Sequence, residues 1–208
     1  AYKHDPQPVY LDLLIRYFAF LRLMIQKNGQ VRNYLTFDRQ QLEDDCSDDA
    51  YGRAVWALGY LIRYAPNDAL FQTAMESFHK MIPAMSRISY ARGYANCMFG
   101  LFHYTRRFPD QEQFLSLISE VAEVLCHRFE QHSRENWDWF EDALTYDNGL
   151  IPAALYVAFS VTSRPKYLAI AEKSRLFLET KCFRNDWLSL IGNKRWLRFD
   201  SEYELFAQ

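Results

Sequence analysis

Two kinds of helix alternate along this chain, and that alternation restricts its fold more than any other feature. Stretches such as Phe114, Leu117, Ile118, Val121, Val124, Leu125 and Phe129 repeat apolar residues at i, i+3, i+4 and i+7, the pattern of a helix with one wet face. Such helices belong on the outside. Between them lie Gly52 to Tyr64, Gly93 to Phe102 and Gly149 to Val161, apolar nearly all round and rich in small residues, which need cover on every side. Inner and outer helices taking turns along a chain describe a toroid of α-hairpins, and the loops running from outer to inner helices then open on one mouth. Crowding in the inner ring predicts that Gly52, Ala54 and Ala57 pack helix against helix at close range.

Punctuation along the chain supports the helical reading. A first helix of about Val9 to Lys27 is expected to end in an Asn28-Gly29 C-cap, and Ser47 is the expected N-cap of a second helix that runs to Tyr64, before Pro66. A third helix starts at Asn67 or Asp68 and is interrupted near Pro83; Ser89 is the expected cap of a fourth, ending near Arg107. Pro109-Asp110 precede the fifth, which fades at about Gln131; Gly149 opens the sixth, and Pro165 the seventh. A last helix begins at Asp200 and is barely started at Gln208. No strand alternation or hairpin signal competes, so the chain is read as all-α, and 208 residues with 50% hydrophobic content suit one domain over 1–208.

Several function classes drop out on composition. A formal net charge of -2 offers no general attraction to nucleic acid, and the longest apolar run, Leu13 to Ile25, is cut by Arg16 and Arg22, too short and too charged to span a membrane. Cys46, Cys97, Cys126 and Cys182 are scattered, which indicates neither a disulfide framework nor a zinc site, and Ala1 to Tyr10 lacks the regions of a signal peptide. The expectation is a cytoplasmic protein with no metal and no cofactor, since the histidines share no helix face and no Gly-rich phosphate loop occurs.

Three constellations carry possible chemistry, each where an outer helix gives way to an inner one. The first, Asp44 to Arg53, fails as a calcium loop because the required Gly and closing Glu are missing. Asp48 and Asp49 then either favour the dipole of the helix that Ser47 caps or face the toroid mouth as functional acids, with Arg53 one turn on. The second, Trp137 to Asn148, sets Asp138, Glu141, Asp142 and Asp147 among Trp137, Trp139 and Tyr146. Carboxylates beside large rings are what a glycoside site needs, because ring faces stack on a sugar and apolar surroundings raise a carboxyl pKa into the general-acid range. The alternative is that Trp137 and Phe140 plug the barrel end and Asp147-Asn148 cap the next helix. The third, Asp200 to Glu204, is either an acid-rich first turn or a further part of the mouth.

At these residues the sequence resembles a family. Ser47 to Gly59 (SDDAYGRAVWALG) and Trp139 to Leu155 (WFEDALTYDNGLIPAAL) are similar to the (α/α)6-toroid domains of the six-hairpin glycosidase superfamily, most of all to bacterial domains found beside, or fused to, family 4 glycosyltransferases. The resemblance implies an incomplete (α/α)6 toroid, because twelve helices are needed and this length supplies about seven complete ones; the chain then reads as a fragment lacking its last hairpins. It implies a carbohydrate-active domain, either an inverting glycoside hydrolase or a sugar-processing partner of a glycosyltransferase, with an oligosaccharide as ligand. Asp48 or Asp49 and Glu141 or Asp142 would be acid and base, roughly 6.5 to 9.5 Å apart, with Glu141 the acid. Arg53, Trp137, Trp139, Tyr146, Asp147, Asn148 and Asp200 would bind the substrate. The rival is a non-catalytic carbohydrate-binding or scaffold module in which the same acids bond sugar hydroxyls or cap helices.

Overall fold

The structure is a computed structural model and describes residues 1–40, 45–184 and 187–201, apart from the side chain of Arg184. Asp44, Glu202, Tyr203 and Glu204, and with them the expected last helix to Gln208, lie outside the described residues. Seven α-helices dominate those that are described, and the chain divides into two compact units, Ala1–Phe114 and Leu115–Gln208.

Unit 1 begins with α1 (Pro8–Met24), with Pro at its first position. The helix ends three residues earlier than expected because Asn28-Gly29 forms a tight reversal instead of a C-cap. Ile25 bridges Val31 antiparallel, the Gln26 amide donates to the Gln30 carbonyl at 2.8 Å, and Gly29 takes φ +83°, which glycine adopts without penalty. The expectation that no hairpin signal was present is thereby corrected. Helix α2 (Asp48–Tyr64) is capped as read, the Ser47 hydroxyl accepting from the Ala50 amide at 3.2 Å; α3 (Asp68–Met81) is capped by Asn67. Pro83 turns the end of α3 into a 3-10 helix, Ile82–Arg87, before α4 (Ala91–Arg107).

Helices α2 and α4 form the centre of unit 1. Gly52 meets Gly93, and Gly59 meets Gly100 one heptad further along both helices, so the two run in the same direction with their backbones almost touching. A Cβ on Gly52 would lie 2.6 Å from the Gly93 carbonyl oxygen. Around this seam Val55, Leu58, Ile62, Ala91, Ala95, Met98 and Leu101 are buried, each large aliphatic contributing about 1.5–3 kcal/mol by leaving water. The Tyr51 hydroxyl, deep in the unit, donates to the Met81 carbonyl at 2.6 Å, and burial pushes its pKa up. Gly52 and Ala54 are buried as expected, but Ala57 is exposed. Helix α2 therefore keeps one wet face, with Arg53, Ala57 and Tyr60 on it, and is not covered on every side.

Unit 2 holds most of α5 (Glu112–His132), then β1 (Ala143–Leu144), α6 (Leu150–Thr162), α7 (Pro165–Cys182), β2 (Phe183–Arg184), β3 (Trp187–Leu188) and β4 (Leu197–Arg198). The amphipathic stripe of α5 is buried at Ile118, Val121, Leu125 and Phe129, and that of α7 at Tyr167, Ile170, Ala171 and Phe177. Tyr167 pins the two together: its hydroxyl donates to Glu123 at 2.9 Å, and Lys166 joins Glu123 and Glu130, each at 3.1 Å. Helices α6 and α7 are joined through Ser163, whose φ of +55° closes the αL cap of α6. Despite its apolar sequence α6 buries Ile151, Ala154, Leu155 and Ala158 but leaves Tyr156, Val157 and Phe159 half-buried. The long loops carry two short antiparallel ladders, β1 with β4 and β2 with β3.

Candidate functional site

In unit 1 the acids at the start of α2 have different partners. One Asp48 carboxylate oxygen accepts from the amides of Ser89 at 2.6 Å and Tyr90 at 2.7 Å. It thus serves the N-terminus of α4, where the N-cap residue Tyr90 offers no side-chain bond, and it takes the role expected of Ser89. Asp49 pairs with Arg53 at 3.1 Å, one turn along α2, and accepts from the buried Asn96 amide at 3.5 Å. Behind them, the Ser47 hydroxyl donates to Asn33 and Asp45 accepts from the Asn33 side chain and the Tyr34 amide, so the loop before α2 is tied down by its own polar residues.

In unit 2 the loop from Ser133 to Asn148 splits into a core plug and a wet edge. Trp139 has no exposed surface and Trp137 only 4%. Their rings pack against Phe140 and Phe177, and the Trp137 indole N–H donates to the Glu141 carbonyl at 2.8 Å. The two indoles expected to be sugar platforms are instead packed in the core of unit 2 against Phe140 and Phe177, with almost no ring surface left exposed. Asp142 is about half exposed and is held by Arg134 and by His132 at 3.2 Å. The His132 hydrogen bond, followed by the charges of His132 and Arg134, keeps its carboxyl below the usual range. A carboxyl held in this way favours its ionised form, which suits a base or counter-charge better than a proton donor. Asp200 is exposed in a turn after β4.

The wet edge lines a cleft of about 560 Å³. Tyr146, Asp147 and Asn148 of the second constellation border it, together with Trp196, Arg175 and Glu179. The Tyr146 and Trp196 rings stand 6.4 Å apart at 45°, and Tyr146 is 46% exposed. Asn148 spends its amide on the loop, bonding the Thr145 amide and carbonyl at 3.0 Å each, which aims the neighbouring Tyr146 and Asp147 outward. Asp147 and Trp196 both take left-handed backbone conformations, φ +48° and +57°. For Asp this is tolerated; for a residue as bulky as Trp it is strained by about 1–3 kcal/mol, and such strain concentrates at functional sites. The buried Thr145 hydroxyl, also in the cleft wall, has no partner among the described residues. Arg175 is clamped between Glu172 and Glu179 and also donates to the Tyr156 hydroxyl at 3.1 Å.

Of the residues bordering this cleft, Tyr146, Asp147 and Asn148 were among those expected from the sequence, and Trp196, Arg175 and Glu179 were not. Glu172, Arg175 and Glu179 stand at i, i+3 and i+7, spacing that any solvated helix face shows, so nothing in it pointed to a cleft. Trp196 is one of two tryptophans between Phe183 and Asp200, and nothing in its neighbourhood in the sequence ties it to Tyr146. Among the described residues no group of His, Cys, Asp and Glu could hold a metal ion, and no helix is long and apolar enough to cross a membrane.

No protein-family model and no curated protein sequence matches the chain. A solved structure does, that of a cellobiose 2-epimerase from Bacillus thermoamylovorans, with a TM-score of 0.62 and 13% identity over 90% of this chain and 60% of that one. At that identity the likeness establishes the fold, an all-α structure of the α/α-toroid class. The chain spans about 60% of the length of the structure it matches.

Proposed function

We propose that this chain is a carbohydrate-binding toroid domain that holds a sugar in the cleft of unit 2. The observation that carries the reading is the Tyr146–Trp196 ring pair, set at the mouth of a cleft that also presents Asp147 and Glu179. Rings offer a sugar its apolar CH face a surface to lie on, and carboxylates accept from its hydroxyls. The strained backbone at Trp196 and the Thr145 hydroxyl, without a partner among the described residues, support the choice of this cleft, and because the structural neighbour is a cellobiose 2-epimerase, cellobiose is the first probe. Calorimetric titration with cello- and manno-oligosaccharides tests it. Tyr146→Ala and Trp196→Ala should each weaken binding about tenfold, a loss of one stacking contact of about 0.5–1.5 kcal/mol plus its buried area. Absence of binding across the panel, or binding indifferent to both changes, overturns the reading.

Inverting hydrolysis is the finer form of this proposal. Asp48 is engaged by the start of α4, Asp49 by Arg53 and Asn96, and Asp142 by Arg134 and His132, and Glu141 is the proposed general acid. Glu141→Gln should abolish turnover and leave binding intact; a wild-type protein that binds and turns nothing over removes hydrolysis and leaves the binding domain. A glycosyltransferase as partner belongs to the same proposal and is tested by co-purification of the two.

A further inference from the structure

The wet face shared by α2 and α4 ends, toward the C-terminal turns of both helices, in a corner where two cations have no acidic partners among the described residues. Lys3 Nζ sits 3.6 Å from the centre of the Tyr64 ring, and the Arg63 guanidinium 4.9 Å from it. Arg63 Nη1 lies 3.4 Å from His103 Nδ1, and the His103 ring meets Tyr60 edge-on at 5.0 Å and Tyr64 at 6.1 Å. Among the described residues neither Lys3 nor Arg63 has a carboxylate within salt-bridge distance, whereas Arg16, Arg53, Arg134, Arg164 and Arg175 are all paired. A basic residue in the last turn of a helix is ordinary, since it complements the helix dipole, and that accounts for Arg63. It does not account for Lys3, which reaches the same ring from the segment before α1.

The imidazole is arranged to donate. Arginine can only donate, so in this contact Nδ1 of His103 accepts and the ring proton resides on Nε2. Burial, with the charges of Arg63 and Lys3 added, holds the His103 pKa down to about 4, so the ring is neutral at pH 7. Tyr60, 38% exposed, flanks the corner, and the stacked pair Trp56–Phe99, 4.6 Å between centres, continues the ring surface toward Arg53.

We propose that this corner binds the phosphate group of a phosphorylated sugar, with Lys3 and Arg63 as counter-charges, His103 Nε2 as donor and Tyr60 beside the sugar ring. Two unpaired cations and a neutral donor suit a dianion, and rings next to them suit a sugar more than a bare ion. The corner lies in unit 1 and does not depend on the cleft of unit 2, so either site can fail alone. A bound dianion opposes the field of Arg63 and Lys3 on His103, and the imidazolium becomes easier to form. The groups acting on that ring are Arg63, Tyr60 and Tyr64 from α2 and Lys3 from the segment before α1.

The test is NMR of the His103 ring in the full chain, titrated separately with glucose 6-phosphate, inorganic phosphate, glucose and vesicles containing phosphatidylglycerol. Glucose 6-phosphate should perturb His103, raise its titration midpoint by about one pH unit or more, and bind at least about tenfold more tightly than inorganic phosphate. Lys3→Gln and Arg63→Gln should each weaken it about tenfold, while Lys80→Gln on α3 leaves it unchanged. Lys3 lies outside the helices, so its replacement keeps the test valid even where Arg63→Gln perturbs folding. No response of His103 to either phosphate overturns the site. Equal affinity for inorganic phosphate, or response to vesicles alone, overturns the sugar phosphate as its ligand.

Discussion

Replacing Gly100 with Ala adds one methyl group where α2 and α4 have no room for it. A Cβ at that position would lie 2.5 Å from the Val55 carbonyl oxygen, 2.7 Å from its carbon and 2.8 Å from Val55 Cγ1. Carbon contacts are favourable at about 3.5–4.0 Å, so the helices must part by about 1 Å along a seam that is closed from Gly52 to Gly100. Two of the three atoms are backbone and cannot rotate away. Overpacking costs typically about 1–3 kcal/mol, and this geometry places it at the upper end, near ~3 kcal/mol. Against it stands the gain of about 1 kcal/mol from replacing Gly by Ala within a helix. The net loss is then about 2 kcal/mol, which for a chain of this size lowers Tm by about 4–8 °C. Thermal unfolding followed by far-UV circular dichroism measures it. Gly149→Ala is the internal control, because Gly149 has φ -61° and nothing within 4 Å of its would-be Cβ; it should stabilise by about 0.4–1 kcal/mol. A Gly100→Ala protein that melts at or above the wild-type temperature would show that the seam yields and that the crowding argument is wrong.

Asp48→Ala removes two charge-assisted bonds to the start of α4 and should cost about 1.5–3 kcal/mol in urea unfolding, with Asp48→Asn intermediate. The Asp142 carboxyl is depressed in the folded state, so its contribution to stability is present above the ordinary carboxylate pKa of about 3.9 and is lost as pH falls through its lower folded value. Carbon-detected NMR titration should show the Asp142 midpoint rising toward the ordinary range in Arg134→Gln; an unchanged midpoint would mean Arg134 does not matter to it. Of the free cysteines, Cys46 is half-buried while Cys97, Cys126 and Cys182 are buried, with burial pushing the Cys126 thiol up to about 12 and the other two upward. Native protein should therefore release about one equivalent of thiol to Ellman's reagent promptly and the remainder only on unfolding.

What could be read in advance depended on whether the determinant was local. Ser47 and Asn67 cap their helices through the amides of Ala50 and Leu70, three residues away in each case, and a three-residue motif is visible in a string of letters. The expected start of α4 at Ser89 went wrong because its real capping group, Asp48, is 41 residues upstream. Asn28-Gly29 fits both a C-cap and a reversal, and only the pairing of Ile25 with Val31 decides between them. Ala57 looked like its neighbours Gly52 and Ala54 but falls on the opposite side of α2 from the seam. In the candidate site, the acids and rings of the Trp137 to Asn148 loop were seen, yet which rings face inward is set by the packing of Phe140 and Phe177, a property of the assembled unit.

The bond from Asp48 to the beginning of α4 also imposes an order of events on synthesis. A ribosome delivers Asp48 before Ser89 and Tyr90, so the acceptor for their amides is waiting when they emerge, with only α3 and its 3-10 turn between. Helix α4 can begin in register as soon as its first turn appears, and the glycine faces then close from that end toward Gly59 and Gly100. A rearranged chain in which α4 preceded α2 would keep every contact of the finished unit. During synthesis it would have to nucleate α4 without its acceptor, and later appearance of native structure on the ribosome at little altered stability is the signature that such a permutant should carry.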